Sequence, residues 1–561
     1  MTSPAWPPTR RGVPYPDPCT PPTAHPYRDC PRGCEPEGRT TRVACIGGGP
    51  GGLFLATLLK RNRPGAEVVV FERNRPDDTF GFGVVFSDAT LDALDAADPV
   101  LSEALDKHGR HWTEIEVRVH GARERVGGMG MAAVVRKTLL NLLQERARAE
   151  GVEMRFQHEI QDPAELEDFD LVVVCDGANS RFRQLFADDF GPTADVADAK
   201  FIWFGTTYMF DGLTFVHQNG PHGVFAAHAY PISDSLSTFI VETDAASWTA
   251  AGLDAFDPAT PPGPSDEKTK AYLEDLFRDQ IGGHPLVGNN SRWANFATRR
   301  ARSWRRGKWV LLGDAAHTAH FSVGSGTKMA MEDAVALAKA LDESPYSVPG
   351  ALEIYEERRR PEVDKIQNSA RPSLSWWEHF GCYVRSFDDP VQFAFHFLSR
   401  SIPRGKLAVR DAVYVDRIDG WWQAHHEAPP LETPLSAGPF RLPSRQVTAT
   451  DGALRASDGT EIPMAAFTGE PSRAGVWIDA PDTEEELPLA LDQVRETAQE
   501  GAPLIGVRGG TALTRVLLAE EARLVHGLPT AVVGPYDDDT ATTLLVSGRA
   551  DLVASAIGGA K

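Results

Sequence analysis

Apolar runs of strand length alternate with helix-period stretches over the first two thirds of the chain. Arg42-Val43-Ala44-Cys45-Ile46 is a short apolar run, Leu53 to Lys60 has a helical pattern, and Val68-Val69-Val70-Phe71-Glu72 reads as a second buried strand. From Val134 to Ala149 the leucines at 139, 140, 142 and 143 predict one helical face, with Arg136 and Gln144 on the polar side. Residues 171–175 and 309–312 are further apolar strands, the second leading to a helix through Met329 to Leu341. Between them, from about Lys200 to Thr243, short alternating runs separated by signals such as Asn219-Gly220 predict an antiparallel sheet. Strand, helix and strand in this order predict an α/β chain with a Rossmann-like first domain and a second lobe built of sheet.

The chemistry sits where these strands end. Gly47, Gly49 and Gly52 fill a G-x-G-x-x-G frame, which needs glycine for a tight turn, for close approach of a pyrophosphate, and for helix-on-strand packing. Phosphates are favoured at the helix N-terminus that follows. Glu72 ends the second strand where an acid accepts from a ribose hydroxyl, and Arg73 beside it is counted with the site. Asp176-Gly177 follows the third strand, at the sheet edge where such folds bind ligands, although a plain Asp-Gly turn would read the same way. Gly313-Asp314 follows the fourth, and Gly324, Gly326 and Lys328 precede the next helix, an arrangement suited to hydroxyls and to an electron-rich ring. Phe80-Gly81-Phe82-Gly83 allows a close backbone approach, or serves packing alone. His228 and Tyr230 share one strand face, and core packing is the commoner fate of such residues.

Composition narrows the partners. The 561 residues carry a formal net charge of −21, which disfavours nucleic acid and anionic membrane surfaces. No apolar run of about 18 residues exists to span a bilayer. There is no apolar signal core, and six cysteines in so long a chain make no disulfide framework, so a cytoplasmic location is expected. Residues 1–38 are proline-rich and expected to be extended or disordered. Cys19, His25, Cys30 and Cys34 there have zinc-compatible types, but incidental thiols are the simpler reading and no metal is expected.

The three motifs in this order resemble the class A flavoprotein aromatic hydroxylases, those built like p-hydroxybenzoate hydroxylase, over about residues 41–420. The resemblance implies that FAD is bound by Gly47, Gly49, Gly52, Glu72 and Arg73 at its adenosine half, and by Gly313 and Asp314 at the ribityl chain. Asp176 and Gly177 would form the middle motif, Arg136 would open the flavin-contacting helix, and Gly324 and Gly326 would approach the ring. Phe321 and Lys328 stand where the wider family has proline and asparagine. With His320-Phe321-Ser322, Gly81 to Asp88, Ser237 to Glu242 and Glu357 to Val363, they resemble a subgroup that includes salicylyl-CoA 5-hydroxylases, 2-aminobenzoyl-CoA monooxygenase/reductases and indole-oxidising relatives.

On that resemblance the FAD-binding domain spans 39–199 and 299–425, and an inserted antiparallel substrate domain spans 200–298. NADH or NADPH and O2 are the implied co-substrates, and a flavin C4a-hydroperoxide would hydroxylate an electron-rich ring. The ring would be an aromatic acyl thioester of CoA or of a carrier protein, or else a free acid or an indole. His228, Tyr230, His320 and Phe321 are the catalytic candidates. Arg299, Arg300, Arg302, Arg305, Arg306 and Lys308 could meet CoA phosphates or form a solvated edge. An oxidase or a flavin-bound subunit without catalysis remains an alternative.

Residues 431–561 resemble a shortened Old Yellow Enzyme-like region, from Gly438 to Leu442 and the stretches around Gly534 and Gly548. About 130 residues fall short of the roughly 200 to 250 of an eight-fold barrel, so an incomplete, truncated TIM barrel is expected. Gly534, Gly548 and Arg549 would then be relics of an FMN site, in a lobe with a packing or homodimerisation role.

Overall fold

The computed structural model describes residues 41–79, 81–256 and 263–556. The proline-rich segment, with Cys19, His25, Cys30 and Cys34, lies outside the described residues.

A six-stranded sheet runs in the order Arg305–Arg306, Trp309–Leu311, Leu171–Val174, Arg42–Ile46, Glu67–Glu72, Glu153–Phe156. All its pairs but the first are parallel, so four apolar strands end along one edge. Helix α1 (Pro50–Asn62) begins with proline at its first turn, which costs nothing because that N–H has no helical partner. Helix α2 (Arg136–Ala149) starts later than the sequence pattern indicates, because Val134 and Val135 end the strand Met131–Val135. Gln144 is buried rather than on a polar face: its Nε2 donates to the Pro76 carbonyl at 2.8 Å. Helix α3 (Gly326–Glu343) packs against α1 over the sheet.

The second sheet has eight strands, its main path running Leu286–Val287, Pro192–Thr206, Ser237–Thr243, Gly223–Pro231, Leu213–Gly220, Ile115–Val119, Ala122–Val126. It takes in the hairpin Ile115–Val126, which the sequence pattern leaves with the first lobe. That hairpin pairs in parallel with Leu213–Gly220, a contact distant in sequence that no local pattern announces.

Behind this sheet lie α4 (Val348–Ser386), which keeps its path through Pro361 and Pro372, and α5 (Pro390–Ser399). Trp376, Trp377, Phe380, Phe393 and Phe397 bury against Phe215 of the sheet. The same core includes Leu544, Leu545 and Val553 from the C-terminal region.

That region is small, as expected, but its ring is closed. Seven strands form a barrel, in which Gln446–Thr450 pairs antiparallel with Ala453–Arg455 and parallel with Leu552–Ala556. Four consecutive parallel pairs make up the rest of the circuit from Glu461–Ala466 to Leu552–Ala556. Antiparallel pairs at the start, Gln446–Thr450 with Ala453–Arg455 and Ala453–Arg455 with Glu461–Ala466, let the ring close without a helix between those strands.

Candidate active site

The parallel strand ends deliver the sequence-predicted residues to one edge. Gly47 has φ +120, and a Cβ there would meet the Cys175 carbonyl at 2.2 Å. At Gly52 a Cβ would meet the Gly47 carbonyl at 2.3 Å and Cys175 Sγ at 2.7 Å. Gly49 differs, since a Cβ there would meet nothing within 4 Å. Two glycines therefore serve chain packing, and one leaves open space at the N-terminus of α1, which has no side-chain cap. Glu72 is half-buried and turned toward this loop: Oε2 accepts from the Gly48 N–H at 2.7 Å, and Oε1 from the Asn74 N–H and Nδ2, both at 2.8 Å. Arg73 is exposed.

Asp176 accepts from the Arg181 N–H at 2.9 Å through Oδ2, while its buried Oδ1 has no partner. Burial raises its carboxyl above the usual range, against hydrogen bonds from Ser180 and Arg181. Gly177, Gly324 and Gly326 all face open space. Asp314 is exposed, yet so much protein surrounds it that lost hydration raises its carboxyl, against the pull of His317, Arg136 and Arg299. An accessible carboxylate deep inside a protein marks a cleft. Arg136, half-buried, feels the same enclosure, which lowers its pKa while Asp314 opposes the shift. Open glycines at two helix starts, an orphaned Asp176 oxygen and a deep accessible Asp314 fit an elongated dinucleotide with hydroxyls along its length.

Side chains that local patterns do not mark hold these loops. Asp333 of α3 accepts from the Gly313 N–H at 3.0 Å and from His317 at 2.8 Å through Oδ2, and from Arg359 Nε at 2.8 Å through Oδ1. Burial opposes its charge, but His317 and Arg359 outweigh it and keep the carboxyl below its usual range. Arg183 donates to the carbonyls of Ala178 at 2.7 Å and Ala315 at 2.9 Å, joining the Asp-Gly turn to the Gly-Asp turn.

Three of the four catalytic candidates come together. Phe321 meets the rings of His320 at 4.3 Å, Phe201 at 4.9 Å, Trp203 at 5.7 Å, His228 at 5.8 Å and Phe296 at 6.1 Å. Buried Glu242 lies between both histidines, 2.7 Å from His228 Nε2 without hydrogen-bond alignment and 3.6 Å from His320 Nε2. Burial pushes Glu242 up to about 7, against His320 and Arg400, and pulls His320 down to about 4, against Glu242. Burial and Arg400 hold His228 well below its ordinary range. Tyr230 lies in the adjoining cluster with Phe82, Trp112 and Ile240, against which Phe321 also packs; it is stacked with Trp112 at 6.1 Å and donates to the Gly83 carbonyl at 3.4 Å.

The sequence offered a signal for two of the aromatic neighbours. Ile202 and Phe204 are buried on one face of their strand, so period-two alternation puts Phe201 and Trp203 on the other. Most of the basic cluster is engaged: Arg302 with the Asp188 carbonyl, Arg305 with Glu353, Arg306 with Asp189, and Lys308 with three carbonyls. Arg299 reaches Asn179 at 3.1 Å, and Arg300 is exposed at a small cavity it shares with His320. In the barrel, Arg549 is buried against α5, and a Cβ on Gly548 would strike the Phe387 ring at 2.8 Å. These residues are committed to packing and not free for a phosphate.

Among the described residues no cluster of three or more His, Cys, Asp or Glu could hold a metal, and no helix is long and apolar enough to cross a membrane.

The FAD binding domain family matches residues 40–370. A salicyloyl-CoA 5-hydroxylase of Streptomyces sp is 83% identical over 512 residues, covering 91% of this chain and 99% of that protein. The 3-hydroxy-4-methyl-anthranilyl-(aryl-carrier protein) 5-monooxygenase of Streptosporangium sibiricum is 39% identical over 336 residues, 60% of this chain and 89% of that protein. Among solved structures, p-nitrophenol 4-monooxygenase from Pseudomonas putida superposes with a TM-score of 0.51 at 20% identity, over 67% of this chain and 97% of that one.

Proposed function

The chain belongs to the FAD-dependent aromatic monooxygenases, and on that premise we propose that it hydroxylates salicyloyl-CoA, or a close aromatic acyl thioester, at ring carbon 5. The observation that carries the reading is the 83% identity to a salicyloyl-CoA 5-hydroxylase across 99% of that protein. Carbon 5 lies para to the phenol hydroxyl, the ring position whose electron density that hydroxyl raises. The carrier-protein thioester in the name of the Streptosporangium relative supports the same substrate class.

When bound and reduced by NAD(P)H, FAD would supply the activation of O2, one atom of which enters the ring while the other leaves as water. The chain's own part is to bind, orient and keep water out. Gly49 and the start of α1 would hold the pyrophosphate, Glu72 the adenosine ribose, and Asp314 the ribityl hydroxyls. Asp176 Oδ1, which has no partner within the chain, would accept a further hydrogen bond. Phe321, Phe201, Trp203 and Phe296 form an aromatic wall that holds a flat ring and excludes water. Behind the wall, buried Glu242 faces both histidines and opposes the lowering of His320 by burial, and this polar side would take up a phenolic proton.

The test is mass spectrometry of products after mixing FAD-loaded protein with NAD(P)H, air and either salicyloyl-CoA, 2-aminobenzoyl-CoA or the free acids. One added oxygen on salicyloyl-CoA, with little on free salicylate, is the expected result. Product from a free acid alone overturns the thioester assignment, and peroxide without oxygenated product overturns the hydroxylase reading.

A further inference from the structure

The C-terminal barrel supplies no residue to the site described above, yet its buried polar groups connect to it. Glu520, at the end of a barrel helix and 5% exposed, accepts from the Tyr383 hydroxyl at 2.6 Å and from His396 Nε2 at 3.0 Å. The Trp376 indole N–H donates to His396 Nδ1 at 3.1 Å, which leaves the His396 proton on Nε2, facing Glu520. Arg549 lies 3.3 Å from the same carboxylate and donates to the His396 carbonyl at 2.6 Å and to Ser399 Oγ at 2.7 Å.

Arg400 is next in the chain. Its Nε donates to Ser373 Oγ at 3.1 Å, Ser373 Oγ meets Ser322 Oγ at 2.9 Å, and Ser322 Oγ meets His320 Nδ1 at 2.7 Å. All these residues are buried or half-buried. An unbroken set of polar contacts and one peptide step therefore leads from the barrel to the loop that carries Phe321.

A buried ion pair contributes little net stability but costs much when one partner is removed, so its best-attested use is to fix one arrangement over others. We infer that the C-terminal barrel is a positioning element for hydroxylation: Glu520 and Arg549 fix α5, through which Arg400 and Ser373 hold the Ser322–His320 loop and the Phe321 ring in register. The effect on product rests on the hydroxylase reading; the effect on loop order does not.

The experiment uses the full-length, FAD-loaded protein and three variants. Glu520→Gln breaks the set at the barrel and Ser373→Ala breaks it beside the loop. Gln392→Ala removes a barrel contact off the path, its Nε2 donating to the Val546 carbonyl at 3.1 Å. Amide exchange over residues 318–326 and product formed per NAD(P)H consumed are measured alongside Tm. The expected result is exchange faster by on the order of fivefold in Glu520→Gln and Ser373→Ala, as for loss of one buried hydrogen bond. Product per NAD(P)H falls in both, while Gln392→Ala lowers Tm alone. Should Glu520→Gln fail to fold, Ser373→Ala decides. Loop exchange in these variants no faster than in Gln392→Ala overturns the inference. If the unmodified enzyme makes no oxygenated product, the hydroxylase reading fails and the exchange data still judge the positioning role.

Discussion

Arg359 donates through Nε to Asp333 at 2.8 Å, and the pair lies beneath the Gly313-Asp314 turn. Asp333 is fully buried and also receives the Gly313 N–H and His317. Asp333→Asn removes the fully buried counter-charge of Arg359 and leaves it only the half-buried Glu332, 3.1 Å from its Nη2. Leaving a buried charge wholly uncompensated costs roughly 3 to 5 kcal/mol, and the Glu332 contact keeps the loss here below that. The variant should unfold at a markedly lower temperature, and what folds should bind FAD more weakly, read by thermal melts and flavin fluorescence titration. An unchanged melting temperature would show that the pair does not hold the turn.

The glycine frame gives a second prediction, because its members do different jobs. Gly52→Ala drives a methyl into the Gly47 carbonyl and should displace α1, lowering both Tm and soluble yield. Gly49→Ala adds its methyl to open space. It should keep the fold and lose FAD affinity alone. Equal loss of stability in the two variants would contradict the assignment of Gly49 to the ligand side.

How much of this was legible in the sequence depends on how far apart the partners lie. The glycine frame, Glu72, Asp176 and Asp314 each sit at the end of an apolar strand, so local pattern was enough to place them along one sheet edge. Arg183 binds the Ala315 carbonyl across 132 positions, and Arg359 meets Asp333 across 26, contacts that exist only once the sheet is assembled. Glu242 lies in an alternating strand like its neighbours, and only the fold reveals the two histidines beside it. The C-terminal region was expected to be an incomplete barrel, because its closure depends on the pairing of Gln446–Thr450 with Leu552–Ala556 at opposite ends of the region.

Glu242 makes stability depend on pH in a defined direction. Its folded pKa is raised from an ordinary 4.5 to about 7, so the stability tied to its protonated form is fully present below about pH 4.5 and lost as pH rises through about 7. His320 acts oppositely: lowered from 6.5 to about 4, it costs stability as pH falls through that interval. Glu242→Gln removes the first effect and, by taking away the carboxylate that holds His320 up, deepens the second, which acts in the same direction. The Tm difference between Glu242→Gln and the parent should therefore move in favour of the variant from pH 5 to pH 8. A difference that stays flat would place the Glu242 titration outside this range.

Arg300 separates the thioester from the free acid. It is exposed beside a cavity lined also by His320, whereas Arg306 is paired with Asp189 and stacked over Phe186. Arg300→Ala should raise KM for the CoA ester severalfold, about the effect of losing one charge-assisted contact, and leave KM for a free acid unchanged. Arg306→Ala should change neither. A KM effect from Arg306 instead would move the phosphate contact to the far edge of the cluster.

Phe321 is the residue whose loss should separate flavin reduction from oxygen insertion. Its ring touches Phe201, Trp203, Phe296, His228 and His320, so it is the shared member of the aromatic wall, yet its backbone belongs to the loop after Gly313-Asp314. Phe321→Ala removes the ring and opens the wall to water without disturbing the Asp333 and Arg183 contacts that hold the cofactor turns. FAD content and NAD(P)H oxidation should therefore persist. Hydroxylated product per NAD(P)H should fall by about tenfold or more, as expected where water reaches a site built to exclude it, with peroxide released in its place. Loss of FAD together with product would instead assign Phe321 to cofactor binding, and unchanged coupling would remove the wall from the reaction.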